Sequence, residues 1–252
     1  MHIVSVDDYE AMSRAAADLV CAVIANNPAA VMVLATGNTP MGLYRDVAQR
    51  RQRGEIDTSR LRIFQLDAYL GLAPDDPRSL YGWLRRSVLD PWGVPETNVV
   101  RLRGDAVDPE AECRAYDESV VAVQGFDLSV LGLGPNGHLG FNEPPVDPGA
   151  PTRIVDLTPE SVESSARYWG GRDQVPPRAL TAGMHALLAA RQTLLVVSGA
   201  HKQEILRRTV AGPVTPDVPA SLLQQASNVT VIADRAAWPP DVADSTGYAA
   251  EG

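Results

Sequence analysis

Lysine is almost absent from this chain of 252 residues: Lys202 is the only one among its 22 lysines and arginines. Positive charge is also outweighed, since 31 Asp and Glu residues leave a formal charge of -9. That balance argues against nucleic acid or an anionic membrane as the main partner, because neither attracts an acidic protein. Any anionic ligand must be held by a local cluster of positive groups. Cysteine is scarce too. Cys21 and Cys113 stand far apart without CxxC spacing, so neither a disulfide framework nor a zinc cage is expected, only two buried thiols. No apolar run approaches the roughly 18 residues of a membrane span, and the opening MHIVSVDDYEAM lacks a basic region followed by an apolar one. The expectation is a soluble, cytoplasmic protein.

What is present is ample material for a core. Hydrophobic residues make up 45% of the sequence, and short β-rich apolar runs alternate with longer segments of helical period. This pattern predicts an α/β fold: an open, mostly parallel, Rossmann-like sheet with helices on both faces. Strands are expected at Ala30–Ala35, Leu61–Leu66, Asp127–Leu133, Thr193–Val197 and Val229–Ala233, with a shorter one near Val99–Leu102. Helices are expected near Pro40–Arg51, Ser79–Leu89, Pro109–Val123, Leu180–Arg191 and Lys202–Val210, after a first helix buried through Ala15, Leu19, Val20 and Val23. Residues 1–237 read as a single domain. Residues 238–252, polar and rich in Pro, Gly and small side chains, read as a tail that can fray.

Four polar signals follow directly after strands, where open α/β sheets gather their ligand-binding loops. In TGNTP, Gly37 permits a tight turn, Thr39 is placed to cap the next helix and Pro40 suits its first position. Such a helix start favours an anion, although a well-capped helix would look the same. In FQLDAYLGL, Asp67 ends an apolar strand, where desolvation would raise its pKa toward a general base's range; a turn-capping Asp is the plainer alternative. In LGLGPNGHLGFNEPP, Gly132, Gly134 and Gly137 have the GxGxxG spacing of a dinucleotide site, but Pro144, Pro145, Pro148 and Pro151 forbid the helix that such a loop must open. His138 suits proton transfer near neutral pH, and Glu143 is near enough in a folded loop to orient it. In SGAHK, Lys202 opens a helix despite the unfavourable dipole there, as a flexible point charge for a phosphate would.

Together these segments resemble the glucosamine-6-phosphate deaminase family, whose sheet fold is shared with 6-phosphogluconolactonases. The resemblance runs from the first helix to about Ala233 and is most specific in NGHLGFNEP. It implies that Asp67 is the catalytic base, that His138 with Glu143 and Asn136 opens the sugar ring, and that Thr36, Gly37, Asn38, Thr39, Arg167 of SSARYW and Lys202 hold the phosphate. The implied reaction converts glucosamine 6-phosphate to fructose 6-phosphate and ammonia, with no metal or cofactor. It also implies a small-molecule amino sugar phosphate as partner and a chain able to form a homo-oligomer. Three positions depart from the family pattern. Asn136 stands where many members have Asp, Ala68 where Glu commonly follows the catalytic Asp, and Ala226 where a His is frequent; these changes are expected near enough to the site to alter substrate choice. Galactosamine 6-phosphate deamination, 6-phosphogluconolactone hydrolysis and non-catalytic sugar-phosphate sensing are the alternatives.

Overall fold

Strands that carry apolar side chains on both faces need cover on both, and the central sheet has a core on each side. The computed structural model describes residues 1–242, so most of the tail expected over 238–252 lies outside the described residues. In chain order the elements are β1 (His2–Val6), α1 (Tyr9–Asn26), β2 (Val31–Leu34), α2 (Met41–Gln52), β3 (Arg62–Gln65), β4 (Asp67–Tyr69), α3 (Leu80–Leu84), α4 (Asp90–Trp92), β5 (Val99–Val100), α5 (Pro109–Ala122) and β6 (Leu128–Gly132). There follow β7 (Arg153–Asp156), α6 (Pro159–Trp169), β8 (Arg178–Thr181), α7 (Met184–Leu188), β9 (Gln192–Val197), α8 (Gln203–Val210) and β10 (Val229–Asp234).

Seven strands form one parallel sheet in the order β1-β10-β9-β6-β2-β3-β5. Successive residues enter opposite cores: Val31 and Val33 of β2 face α5, α7 and α8, while Met32 and Leu34 face α1 and α2. Strand order reverses between β6 and β2, which is where a ligand crevice belongs in such a sheet. A second sheet, β4-β8-β7, is antiparallel and lies beside the ends of the first. The expected α/β architecture is therefore present, with this extra ribbon added.

Three local expectations are corrected. Helix α1 buries Val20, but its other buried positions are Met12, Ser13, Ala16, Ala17, Cys21 and Ile24, while Ala15, Leu19 and Val23 lie at the edge of the contact. Small residues win the central stripe because α1 packs closely on α2: a Cβ on Gly42 would stand 2.6 Å from Ser13 Cβ. The helix expected over Leu180–Arg191 is reduced to α7, because Leu180 and Thr181 belong to β8 and pair with β4 and β7 at once. Gly183 separates strand from helix, pressed so near the Pro151–Thr152 backbone that a Cβ there would stand 2.6 Å from the Thr152 nitrogen. Finally β1, unforeseen, adds an edge to the sheet by pairing with β10.

The α1–α2 contact gives a direct test. Gly42→Ala should destabilise the protein by about 2 kcal/mol, as overpacking does, and lower its melting midpoint by roughly 4–8 °C; an unchanged midpoint would mean the helices separate without cost.

Candidate functional site

The loop after β2 takes its shape from tyrosines. Gly37 adopts φ +94°, open to glycine, and turns the chain toward α2. The expected Thr39 cap is not formed: α2 begins at Met41 behind Pro40, with no side-chain bond from either residue. Tyr9 of α1 replaces it, its hydroxyl accepting from Gly42 N at 2.8 Å and donating to Asn38 O at 3.2 Å. Tyr44 of α2 donates to Ala35 O at 2.8 Å. Thr36–Thr39 are thus fixed from both sides, with the N-terminal end of α2 behind them.

Asp67 stands where the chain leaves the parallel sheet. After β3 the backbone cranks at Leu66 and pairs with β8 as β4, so Asp67 begins a strand of the second sheet, not the end of the first. Gln65 fixes the crank, its side chain donating to Asp67 O at 2.8 Å, while Tyr116 donates to Gln65 O at 2.8 Å. The Asp67 carboxyl is 5% exposed, and its Oδ1 has no hydrogen-bond partner. Burial raises its pKa from 3.8 to about 7.

The glycine-rich loop after β6 builds a rigid seat for His138. Gly134 N donates to His138 O at 3.0 Å, and the imidazole lies so close over Gly134 that a Cβ there would stand 2.3 Å from Nε2. Nδ1 of His138 is 3.2 Å from Glu143 Oε2. Asn136 accepts from His138 N at 3.2 Å and donates to Glu143 Oε2 at 2.8 Å and to Thr158 Oγ1 at 3.2 Å. Burial alone would raise the Glu143 carboxyl, but hydrogen bonding and charge from His138, with bonds from Ser161 and Asn136, outweigh it and hold the pKa at about 2. The GxGxxG spacing therefore serves a loop, as the prolines required.

Two cations complete the cavity. Lys202 ends a short turn before α8 and donates from Nζ to Leu133 O at 2.7 Å. Burial, then the charge of Arg167, lowers its pKa to about 8. Arg167, near the end of α6, donates to Tyr168 Oη at 2.8 Å. Among the described residues neither cation forms an ion pair, so an incoming anion would relieve their mutual repulsion.

One cavity of about 900 Å³ is lined by Thr36, Gly37, Asn38, Thr39, Asp67, His138, Arg167 and Lys202. Asn136 and Glu143 stand behind His138 and touch its ring or backbone without lining the cavity. Ala68 and Ala226 do not line it either. Ala68 packs into the core between the cavity-lining Asp67 and Tyr69, and Ala226 packs against that core. Sequence reasoning missed Tyr9, Thr158, Ser161 and His201. Of these only His201, beside Lys202 in SGAHK, carried a signal.

Because Asp67 keeps its proton to about pH 7 when folded but only to 3.8 when unfolded, folding binds protons across that window and stability falls as pH rises through it. Above it the full penalty remains. Asp67→Asn should therefore stabilise the protein at pH 8 by ~3 kcal/mol more than at pH 5, read from urea melts; equal gains at both pH values would show an ordinary carboxyl.

The same architecture recurs in known proteins. Residues 7–232 match the family described as glucosamine-6-phosphate isomerases/6-phosphogluconolactonase. A glucosamine-6-phosphate deaminase of Halothermothrix orenii is 39% identical, the match covering 94% of this chain and 98% of the relative. One from Clostridium acetobutylicum is 35% identical over the same shares. A solved monomeric glucosamine-6-phosphate deaminase superposes with a TM-score of 0.92 at 36% identity, over 94% of this chain and 98% of its own. A 6-phosphogluconolactonase from Leishmania guyanensis shares the fold, with TM-score 0.77 at 18% identity over 96% of this chain and 99% of its own. By sequence along nearly its whole length, the chain belongs to the glucosamine-6-phosphate isomerase/6-phosphogluconolactonase family.

Proposed function

We propose that the protein is a glucosamine-6-phosphate deaminase, converting its substrate and water to fructose 6-phosphate and ammonia. The observation that carries this reading is one cavity holding Lys202 and Arg167, a buried carboxyl with a pKa of about 7 and a carboxylate-backed histidine. The relatives named above support the deaminase over the lactonase, whose likeness is one of fold.

In this reading Thr36, Gly37, Asn38 and Thr39 with Arg167 and Lys202 hold the phosphate, so that binding remote from the reacting carbons fixes their position. Glu143 keeps the proton on Nδ1 of His138 and leaves Nε2 free to exchange a proton with the ring oxygen and anomeric hydroxyl, opening the pyranose. Asp67 then takes the C2 proton and delivers it to C1 through an enolamine. The resulting C2 ketimine adds water and expels ammonia. Asn136 adds no second negative charge beside the imidazole, so among the described residues Glu143 is the histidine's one close anionic partner. No described helix is long and apolar enough to cross a membrane. A cytoplasmic location is the reading that a hexosamine phosphate as substrate supports.

Purified protein should release ammonia and fructose 6-phosphate from glucosamine 6-phosphate faster than from galactosamine 6-phosphate assayed beside it, and should leave 6-phosphogluconolactone intact. Its kcat/KM should rise with pH through a limb near 7 as Asp67 ionises, and Asp67→Asn should cut kcat by ~10³-fold. Full activity in that variant, or lactone hydrolysis without ammonia, would overturn the reading.

A further inference from the structure

His138 is held from two sides, and only one of them is Glu143. The hydroxyl of Ser161, in the first turn of α6, stands 3.1 Å from Nδ1, as near as the carboxylate at 3.2 Å. Ser161 is buried, with 1% of its surface exposed. Its hydroxyl does not cap α6; that task belongs to Thr158, which accepts from Ser161 N at 3.3 Å. Nor does it bond a backbone carbonyl one turn back, the usual resting place of a helical serine. It is directed at the imidazole instead.

The surrounding bonds tie the same turn to the carboxylate. Thr158 Oγ1 lies 3.2 Å from Glu143 Oε2, and Asn136 Nδ2 donates to both atoms. The first turn of α6 therefore meets both members of the His138–Glu143 pair. Since an ionised carboxylate only accepts, Nδ1 must carry the proton, and the hydroxyl beside it becomes a second acceptor. Two acceptors on different elements fix the plane of a ring that one would leave free to swivel.

Resting on the ring-opening role given to His138, we propose that Ser161 is a positioning residue for the reaction: its hydroxyl shares with Glu143 the Nδ1 proton that the carboxylate holds there, and so fixes the plane of the imidazole. Helix α6 also carries Arg167 in the cation pair, so one element bears both a phosphate ligand and the second anchor of the ring-opening histidine.

The test combines ammonia-release kinetics with ¹⁵N NMR of the His138 imidazole in the ligand-free protein, the resonance being assigned by its loss in His138→Asn. Ser161→Ala should melt within a few degrees of the parent, lose kcat about tenfold with KM nearly unchanged, as loss of one hydrogen bond implies, and move the Nδ1 resonance upfield as its proton loses one of two acceptors, with Nε2 still unprotonated. An imidazole spectrum and kcat equal to the parent's would overturn the assignment. If the parent itself releases no ammonia, the deaminase reading fails, while the imidazole spectrum still decides whether Ser161 orients the ring.

Discussion

Burial of Asp67 without a cation is the constraint on which the pocket depends. A carboxyl in that position loses hydration and gains no ion pair, so its proton is retained to about pH 7. The fold can impose this because the flanking backbone is fully engaged: β4 pairs with β8, and Gln65 and Tyr116 brace the crank where β3 ends. The two cations of the same cavity are held apart from it, Lys202 by the Leu133 carbonyl and Arg167 by Tyr168.

The second carboxyl shows the opposite treatment. Glu143 is also buried, yet His138, Asn136 and Ser161 hold it ionised far below the ordinary carboxylate range. One pocket wall thus offers a carboxyl able to take and give a proton near neutrality, and behind another a permanent anion that orients an imidazole. Environments that drive two carboxyl groups apart in this way separate their chemical roles. The parallel sheet places the TGNTP, GHLGFNEP and SGAHK loops at one end, and the antiparallel ribbon carries Asp67 across to meet them.

Much of this was legible in the sequence because the central strands are largely apolar on both faces and end in polar loops. Leu61–Leu66, Asp127–Leu133 and Thr193–Val197 announced the parallel sheet, and the residues just after them announced the pocket. The antiparallel ribbon was not legible: β4 has three residues, and Leu180, read as helical by its apolar run, is claimed by pairing with two strands. Tertiary contacts also overrode local signals in TGNTP, where Thr39 looked like the cap and a distant tyrosine took its place. Ser161 was invisible for a related reason, since nothing in SSARYW or the turn before it points toward a histidine 23 positions earlier.

The most direct test of the account is the titration of Asp67 itself. In ligand-free protein carrying ¹³C-labelled aspartate, its side-chain carboxyl, assigned by its loss in Asp67→Asn, should titrate with a midpoint near 7. A midpoint near 4 would contradict the account, because an ordinary carboxylate there would mean that burial does not tune the group on which the proposed chemistry turns.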